Sequence, residues 1–249
     1  MLFDAYDNIR IINLAHRTDR RAEMMRELAR VGLDADPKVS FFNACTFTDA
    51  GTFESRGARG CFHSHLEILD EAAKSGASVL ILEDDLDFAR EVSSFELQAA
   101  PPIFYGAYSA SKPDDLPNSD IAGSHFMGFD APTAARLAAY LRSILASGKH
   151  PPIDGAYVWF RRAHPEVRTV FAPVALGHQR PSRTDIAPLR FYDRVPGIRN
   201  AMPIARRLRQ RFRGRTSPGL VATGAALCGA ALGFAAGARI SERSKDAWP

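Results

Sequence analysis

The chain has 249 residues, 46% of them hydrophobic. It is too long for a disulfide mini-protein, too apolar for a disordered chain, and large enough for one α/β domain with an appendage. The net charge of +4 is uneven: residues 206–249 hold nine basic and two acidic side chains, a net +7, which leaves −3 on the first 205 residues. A mildly acidic globular part lacks the electrostatic footprint of a nucleic-acid-binding surface, so no nucleic-acid partner is expected.

Cys45, Cys61 and Cys228 include no CxxC pair, which fits a reducing compartment and excludes a Cys-rich zinc module. The opening MLFDAYDNIR places charges where a secretory signal would be apolar, so no signal peptide is expected. Ile9 to Leu14 is a short apolar run that turns abruptly into HRTDRR, the pattern of a buried strand ending in a polar turn before a helix. Met24, Met25 and Leu28 continue at helical spacing until Gly32. From Gly60, a second helix is marked by Phe62, Leu66, Leu69 and Ala73 on one face, with Gly76 as its left-handed cap. Val79 to Leu82 then reads as a fully buried strand running into Glu83, Asp84 and Asp85.

Ile103–Tyr108 and His125–Phe129 read as strands around a Pro/Asp/Ser-rich loop at 111–120 that is expected to be mobile. Asp130 and Pro132 can open a helix with Leu137, Leu141 and Ile144 inward. Tyr157–Phe160 and Thr169–Ala172 are further strand candidates, and no internal repeat is evident. Short apolar strands alternating with helices imply a mainly parallel sheet covered on both faces.

The composition changes near 190. The expected organisation is a catalytic domain over 1–190, an Arg/Pro-rich linker over 191–219, a membrane-associated helix over 220–238 and a polar tail over 239–249. Leu220 to Ala238 is nineteen uncharged residues with eight Ala and four Gly, long enough to span a hydrocarbon core but only weakly driven to insert. Gly229, Gly233 and Gly237 share one face. Six arginines precede the stretch, so 206–238 is expected to hold the protein at the cytoplasmic face of the inner membrane. An Ala-rich soluble or interfacial helix is the alternative.

Three successive carboxylates at the end of a buried strand are the sharpest chemical signal, since packing gains nothing from them and they repel one another. Oxygen ligands at that place favour a hard divalent cation, Mn²⁺ or Mg²⁺, and with it a phosphate-bearing substrate. Asp87 extends the run to a D-x-D, Asp85-Leu86-Asp87. A solvated acidic turn is the plain alternative. Arg17, Arg20 and Arg21 around Asp19 offer guanidinium forks at a helix N-terminus, suited to phosphate, or an ordinary charged first turn. His63 and His65 lack HxxxH or HExxH spacing, and no G-x-S-x-G elbow is present. Asp154 is a lone carboxylate in an expected loop before a strand, and His178 is ambiguous by itself.

Together INLAHRTDRR (12–21), GCFHSH (60–65), LILEDD (80–85), PIDGAY (152–157) and APVALGHQRPSRTDI (172–186) resemble glycosyltransferase family 25 in order and spacing, over about residues 8–190. The resemblance implies a GT-A-like nucleotide-sugar transferase that commonly uses UDP-galactose and a divalent cation and inverts the anomeric carbon. It implies a glycan or glycolipid acceptor, as in lipopolysaccharide synthesis. Asn13, Arg17, Asp19 and Arg20 match the N-terminal donor motif, His65 the SH motif, and Glu83, Asp84 and Asp85 the acidic motif, with Asp85 first for metal contact. Asp154 matches the later PxD position and is the expected base, with Asp87 and His178 as further metal contacts. Two other classes compete: a catalytically silent, membrane-tethered binding protein, and a metal-dependent phosphohydrolase using the same acids.

Overall fold

The computed structural model describes residues 1–148 and 151–180, all of them within Met1–Arg194. The expectations for the linker, the apolar stretch, the polar tail and Cys228 lie outside these residues. In chain order the described elements are β1 (Asn8–Asn13), α1 (Thr18–Arg30), β2 (Val39–Asn43), α2 (Arg56–Ser75), β3 (Val79–Glu83), β4 (Leu86–Phe88) and β5 (Ile103–Tyr105). They continue with β6 (Ser109–Ala110), β7 (Ile121–Ala122), β8 (Phe126–Phe129), α3 (Ala131–Ala146), α4 (Ile153–Ala163), β9 (Thr169–Phe171) and β10 (Gly177–Gln179).

Six strands form the central sheet in the order β2-β1-β3-β8-β5-β9. Strand β8 is antiparallel to both neighbours, and the other three pairings are parallel. The architecture is therefore mixed α/β with a mainly parallel sheet. Successive strand residues face opposite sides. Ile9, Ile11, Leu80 and Leu82 pack with Met24 and Leu28 of α1, whereas Ile12, Val79 and Ile81 pack with α2, α3 and α4. Helices thus cover both faces.

From β1 the chain crosses through α1 to β2 on one side, and returns through α2 to β3 on the other. Right-handed crossovers in opposite directions put their helices on opposite faces and leave a crevice beyond the carboxyl ends of β1 and β3. The register pairs Ile12 with Glu83, so Asn13 and the acidic run both open at that crevice.

Local signals explain the helix ends. The Ser55 side chain accepts from the Ala58 amide to start α2, and Gly76 ends it at φ 63°. Asp130 accepts from the Thr133 amide at 2.8 Å to start α3. Two expectations are corrected. Strand β2 was not read, because it is an edge strand with partly exposed residues on both faces and so shows neither alternation nor a fully apolar run. Tyr157–Phe160, read as a strand, lies inside α4. Ile153, Ala156, Tyr157 and Phe160 are all buried, and their i, i+3, i+4, i+7 spacing is helical. The loop at 111–120 is fastened to α4, where Arg161 donates to the carbonyls of Leu116 at 2.9 Å and Pro117 at 3.4 Å. Among the described residues, no helix is long and apolar enough to cross a membrane.

Candidate active site

The acidic run splays as it leaves β3. Alternation carries Glu83 to the α2 face and Asp84 to the α1 face, while Asp85 occupies the turn. The Asp84 amide still donates to the Ile12 carbonyl at 3.1 Å, which pins the turn to β1. Asp84 is 5% exposed, and both of its oxygens are engaged: Oδ2 accepts from Asn13 Nδ2 at 2.7 Å and Oδ1 from Arg20 at 2.8 Å. A buried charge paired and hydrogen-bonded in this way is tolerable where an isolated one is not. Asn13 also donates to the Arg17 carbonyl at 3.3 Å, joining the end of β1 to the start of α1.

Arg17 and Asp19 stand at the rim. The Arg17 fork donates to both Asp19 oxygens at 2.9 Å, and this holds the Asp19 carboxyl down to about 2. Arg20 lies 3.5 Å from Asp85 Oδ2. Burial pushes the Asp85 carboxyl up to about 6 against the opposing pull of Arg20. Its Oδ1 is buried and makes no hydrogen bond, so within the trio Asp85 retains acceptor capacity for a ligand.

Asp87, expected to complete the D-x-D, instead accepts from Arg180 Nε at 2.8 Å. Arg180 is almost wholly buried and also donates to Glu23 at 2.7 Å and to the carbonyls of Asp84 at 3.4 Å and Leu86 at 3.3 Å. It clamps the acidic turn between α1 and β10. His178 is exposed on β10 in register with Asp87. Its charge reaches His125, whose imidazole is pushed down to about 4, chiefly by burial.

Glu83 accepts from Ser124 at 2.8 Å and lies 4.0 Å from Nε2 of His65. Burial, reinforced by the Asp85 charge, pushes the Glu83 carboxyl up to about 8. His65 is in the body of α2, fully buried, with Nδ1 2.8 Å from the Tyr157 hydroxyl. Burial pushes its imidazole down to about 3, so the ring is neutral at pH 7. Asp154 is in the first turn of α4 rather than in a loop. It accepts from its neighbour's Gly155 amide at 2.8 Å and from the Gly123 amide at 3.3 Å. Gly123 adopts φ 114°, a backbone conformation open only to glycine. Burial raises the Cys61 thiol, and the negative charges of Glu83, Asp154 and Asp85 raise it further. The later carboxylate and the acidic run therefore lie within electrostatic reach of one side chain.

Cys61, Ser124, Tyr157 and Arg180 were not anticipated as site residues. Of these, Cys61 carried a readable signal, because C-x3-H puts Cys61 and His65 one turn apart on the same helical face.

The match to known proteins falls on this crevice. Residues 6–101 match the model of Glycosyltransferase family 25 (LPS biosynthesis protein), and this matched segment builds β1, α1, α2 and the acidic turn. Asn13, Arg17, Asp19, Arg20, His65 and the Glu83–Asp87 run lie inside the matched residues, while Asp154 and His178 lie beyond them. No curated protein matches the chain. Among solved structures, the CTP:phosphocholine cytidylyltransferase LicC from Streptococcus pneumoniae is similar at a TM-score of 0.41 and 12% identity, covering 70% of this chain and 93% of that one. Mouse xyloside xylosyltransferase 1, apo form, is similar at a TM-score of 0.36 and 12% identity, covering 67% and 84%.

Proposed function

We propose that the protein transfers a hexose, galactose from UDP-galactose, to a saccharide or lipid-linked acceptor of lipopolysaccharide or a related cell-surface glycan, with inversion and with a divalent cation. The convergence of Asn13, Arg20, Asp84 and Asp85 at the topological switch point of the sheet, inside the segment that matches the family, carries this reading. Ligands of open α/β sheets bind in that position.

Each side chain then has a task. Asp84 is structural, because its oxygens are spent on Asn13 and Arg20. Arg17, at the N-terminal end of α1, turns its fork from Asp19 to the donor phosphates, helped by the partial positive charge of the helix terminus. Asp85, with its buried and unbonded Oδ1, would hold Mn²⁺ or Mg²⁺, which typically takes one or two carboxylates together with substrate phosphates. Such an ion supplies Lewis-acid stabilisation to a departing diphosphate. His178 is the further candidate for contact with the ion or the diphosphate.

Asp154 is the proposed base. Its two backbone donors fix the carboxylate, and it removes the acceptor hydroxyl proton as the oxygen bonds to C1 and the sugar–phosphate bond breaks on the opposite side. Asp154→Asn is expected to lower turnover at least about 100-fold while leaving donor binding within twofold. Asp154→Asn with full turnover removes it from this role. We further propose attachment to the cytoplasmic face of the inner membrane through residues 206–238. Salt-sensitive binding of the full chain to anionic vesicles is expected, and its absence contradicts attachment.

A further inference from the structure

Cys61, His65 and Glu83 lie on the α2 side of β3, away from the Asp84–Arg20 pair on the α1 side, and their function is not accounted for by donor binding. One ligand atom from each, Cys61 Sγ, a His65 ring nitrogen and a Glu83 carboxylate oxygen, lies within 4.8 Å of the other two. Cys61 and His65 come from successive turns of one helix, and Glu83 reaches them from the end of the adjacent strand. His65 is fully buried, and its Nε2 makes no hydrogen bond. A buried imidazole nitrogen left without a partner is costly, and this one lies 4.0 Å from the Glu83 carboxylate.

We propose that Cys61, His65 and Glu83 form a binding site for a zinc-class divalent ion, distinct from the cation expected at Asp85. Thiolate, imidazole and carboxylate make a borderline-soft donor set that selects Zn²⁺ or Co²⁺ over Mg²⁺. The spacing suits it. With metal–ligand distances near 2.0–2.3 Å, donor atoms around a tetrahedral ion stand about 3.3–3.8 Å apart, and the 4.0 Å between Nε2 and Glu83 Oε1 closes with small side-chain rotations.

Charge and outer contacts agree with this assignment. Binding releases the Cys61 thiol proton and, below about pH 8, the Glu83 carboxyl proton to solvent and leaves M²⁺ facing one thiolate and one carboxylate, so the ion enters a buried site at no net charge. With Nε2 on the ion, Nδ1–H donates to the Tyr157 hydroxyl 2.8 Å away, which fixes the ring with Nε2 inward, as outer partners of metal-bound histidines do. Ser124 orients Glu83 in the same way. Three protein ligands leave a fourth position open. A cysteine-nucleophile reading of the same trio fails, because a reactive thiolate needs an electropositive surrounding and Cys61 stands among Glu83, Asp85 and Asp154.

Cobalt titration of the full chain, stripped with chelator and kept reduced with a phosphine, tests the proposal. The expected result is a near-ultraviolet thiolate-to-cobalt band that saturates at one ion per chain, is bleached by Zn²⁺ and is untouched by excess Mg²⁺. The band is expected to survive in the Cys45→Ser/Cys228→Ser double variant and in Asp85→Asn, and to vanish in Cys61→Ser with unchanged far-ultraviolet circular dichroism. Glu83→Gln is expected to weaken Co²⁺ binding at least tenfold. No band in the wild-type chain, a band that persists in Cys61→Ser, or a band lost in the double variant overturns the site. Survival in Asp85→Asn keeps this result independent of the donor crevice.

Discussion

Three consecutive acids here meet three environments, and their chemistry diverges accordingly. Asp84 is neutralised by Asn13 and Arg20, Asp85 keeps an unbonded oxygen, and Glu83 is turned into the α2 layer beside His65 and Ser124. The last of these makes stability depend on pH. In the fold Glu83 titrates at about 8 against an ordinary 4.5, so between those values the folded chain holds a proton that the unfolded chain has released. Its contribution is complete below 4.5, declines as pH rises and is gone above 8. Asp85, at about 6 against 3.8, has finished its decline by pH 6. His65, at about 3 against 6.5, acts in the opposite sense, adding stability as pH rises from 3 to 6.5 and changing nothing further above that. Glu83 alone of the three therefore acts between pH 6.5 and 8. The melting temperature of the metal-free protein is expected to fall across that interval, and Glu83→Gln is expected to remove most of the fall. An unchanged slope in Glu83→Gln would show that the buried carboxyl is not its source. The acidic trio itself was plain in the sequence, but the separate fates of its members were not. Each is decided by a partner far along the chain, such as Arg20, 64 residues from Asp84.

At the level of elements, the acidic turn is held by a clamp from the residue that follows β10. Arg180 ties Asp87 to Glu23 of α1 and to the carbonyls of Asp84 and Leu86. Arg180→Met removes the cation that joins Asp87 to Glu23, at an expected cost of about 3 kcal/mol in urea unfolding, the low end for a broken buried pair because Asp87 and Glu23 are partly exposed. Arg180→Lys restores charge without the fork and is expected to recover only part of the loss. A loss below about 0.5 kcal/mol would mean that the clamp contributes little. Elements with a strong local pattern were legible: β1 and β3 as apolar runs, α3 from the Asp130 cap, α2 from its apolar face and Gly76. Strand β2 was not, since an edge position relaxes the demand for alternation. Helix α4 was missed because Tyr157–Phe160, taken alone, is a short apolar run that serves either structure. The Arg180–Asp87 contact joins residues 93 apart, and no local pattern encodes it. The C-x3-H pair was legible in α2, but its third member comes from β3.

For the molecule as a whole, topology accounts for the location of the site. The chain leaves β1 in one direction and returns in the other, so the crevice between β1 and β3 is where the sheet can admit a ligand between its two helical layers. Residues 6–101, which match family 25, build both walls of that crevice, whereas Asp154 arrives from α4, outside the match. The proposed function puts donor recognition in the first half of the domain and acceptor activation in the second, and the two are expected to separate under mutation. The most direct measurement is calorimetric titration of UDP-galactose into the full chain with and without Mn²⁺. Saturable one-to-one binding that strengthens with Mn²⁺, loses at least about tenfold in affinity in Asp85→Asn (about 1.4 kcal/mol) and persists in Asp154→Asn is expected. Binding that is absent, or equally tight in Asp85→Asn, would contradict the assignment of the acidic turn to a sugar-nucleotide donor.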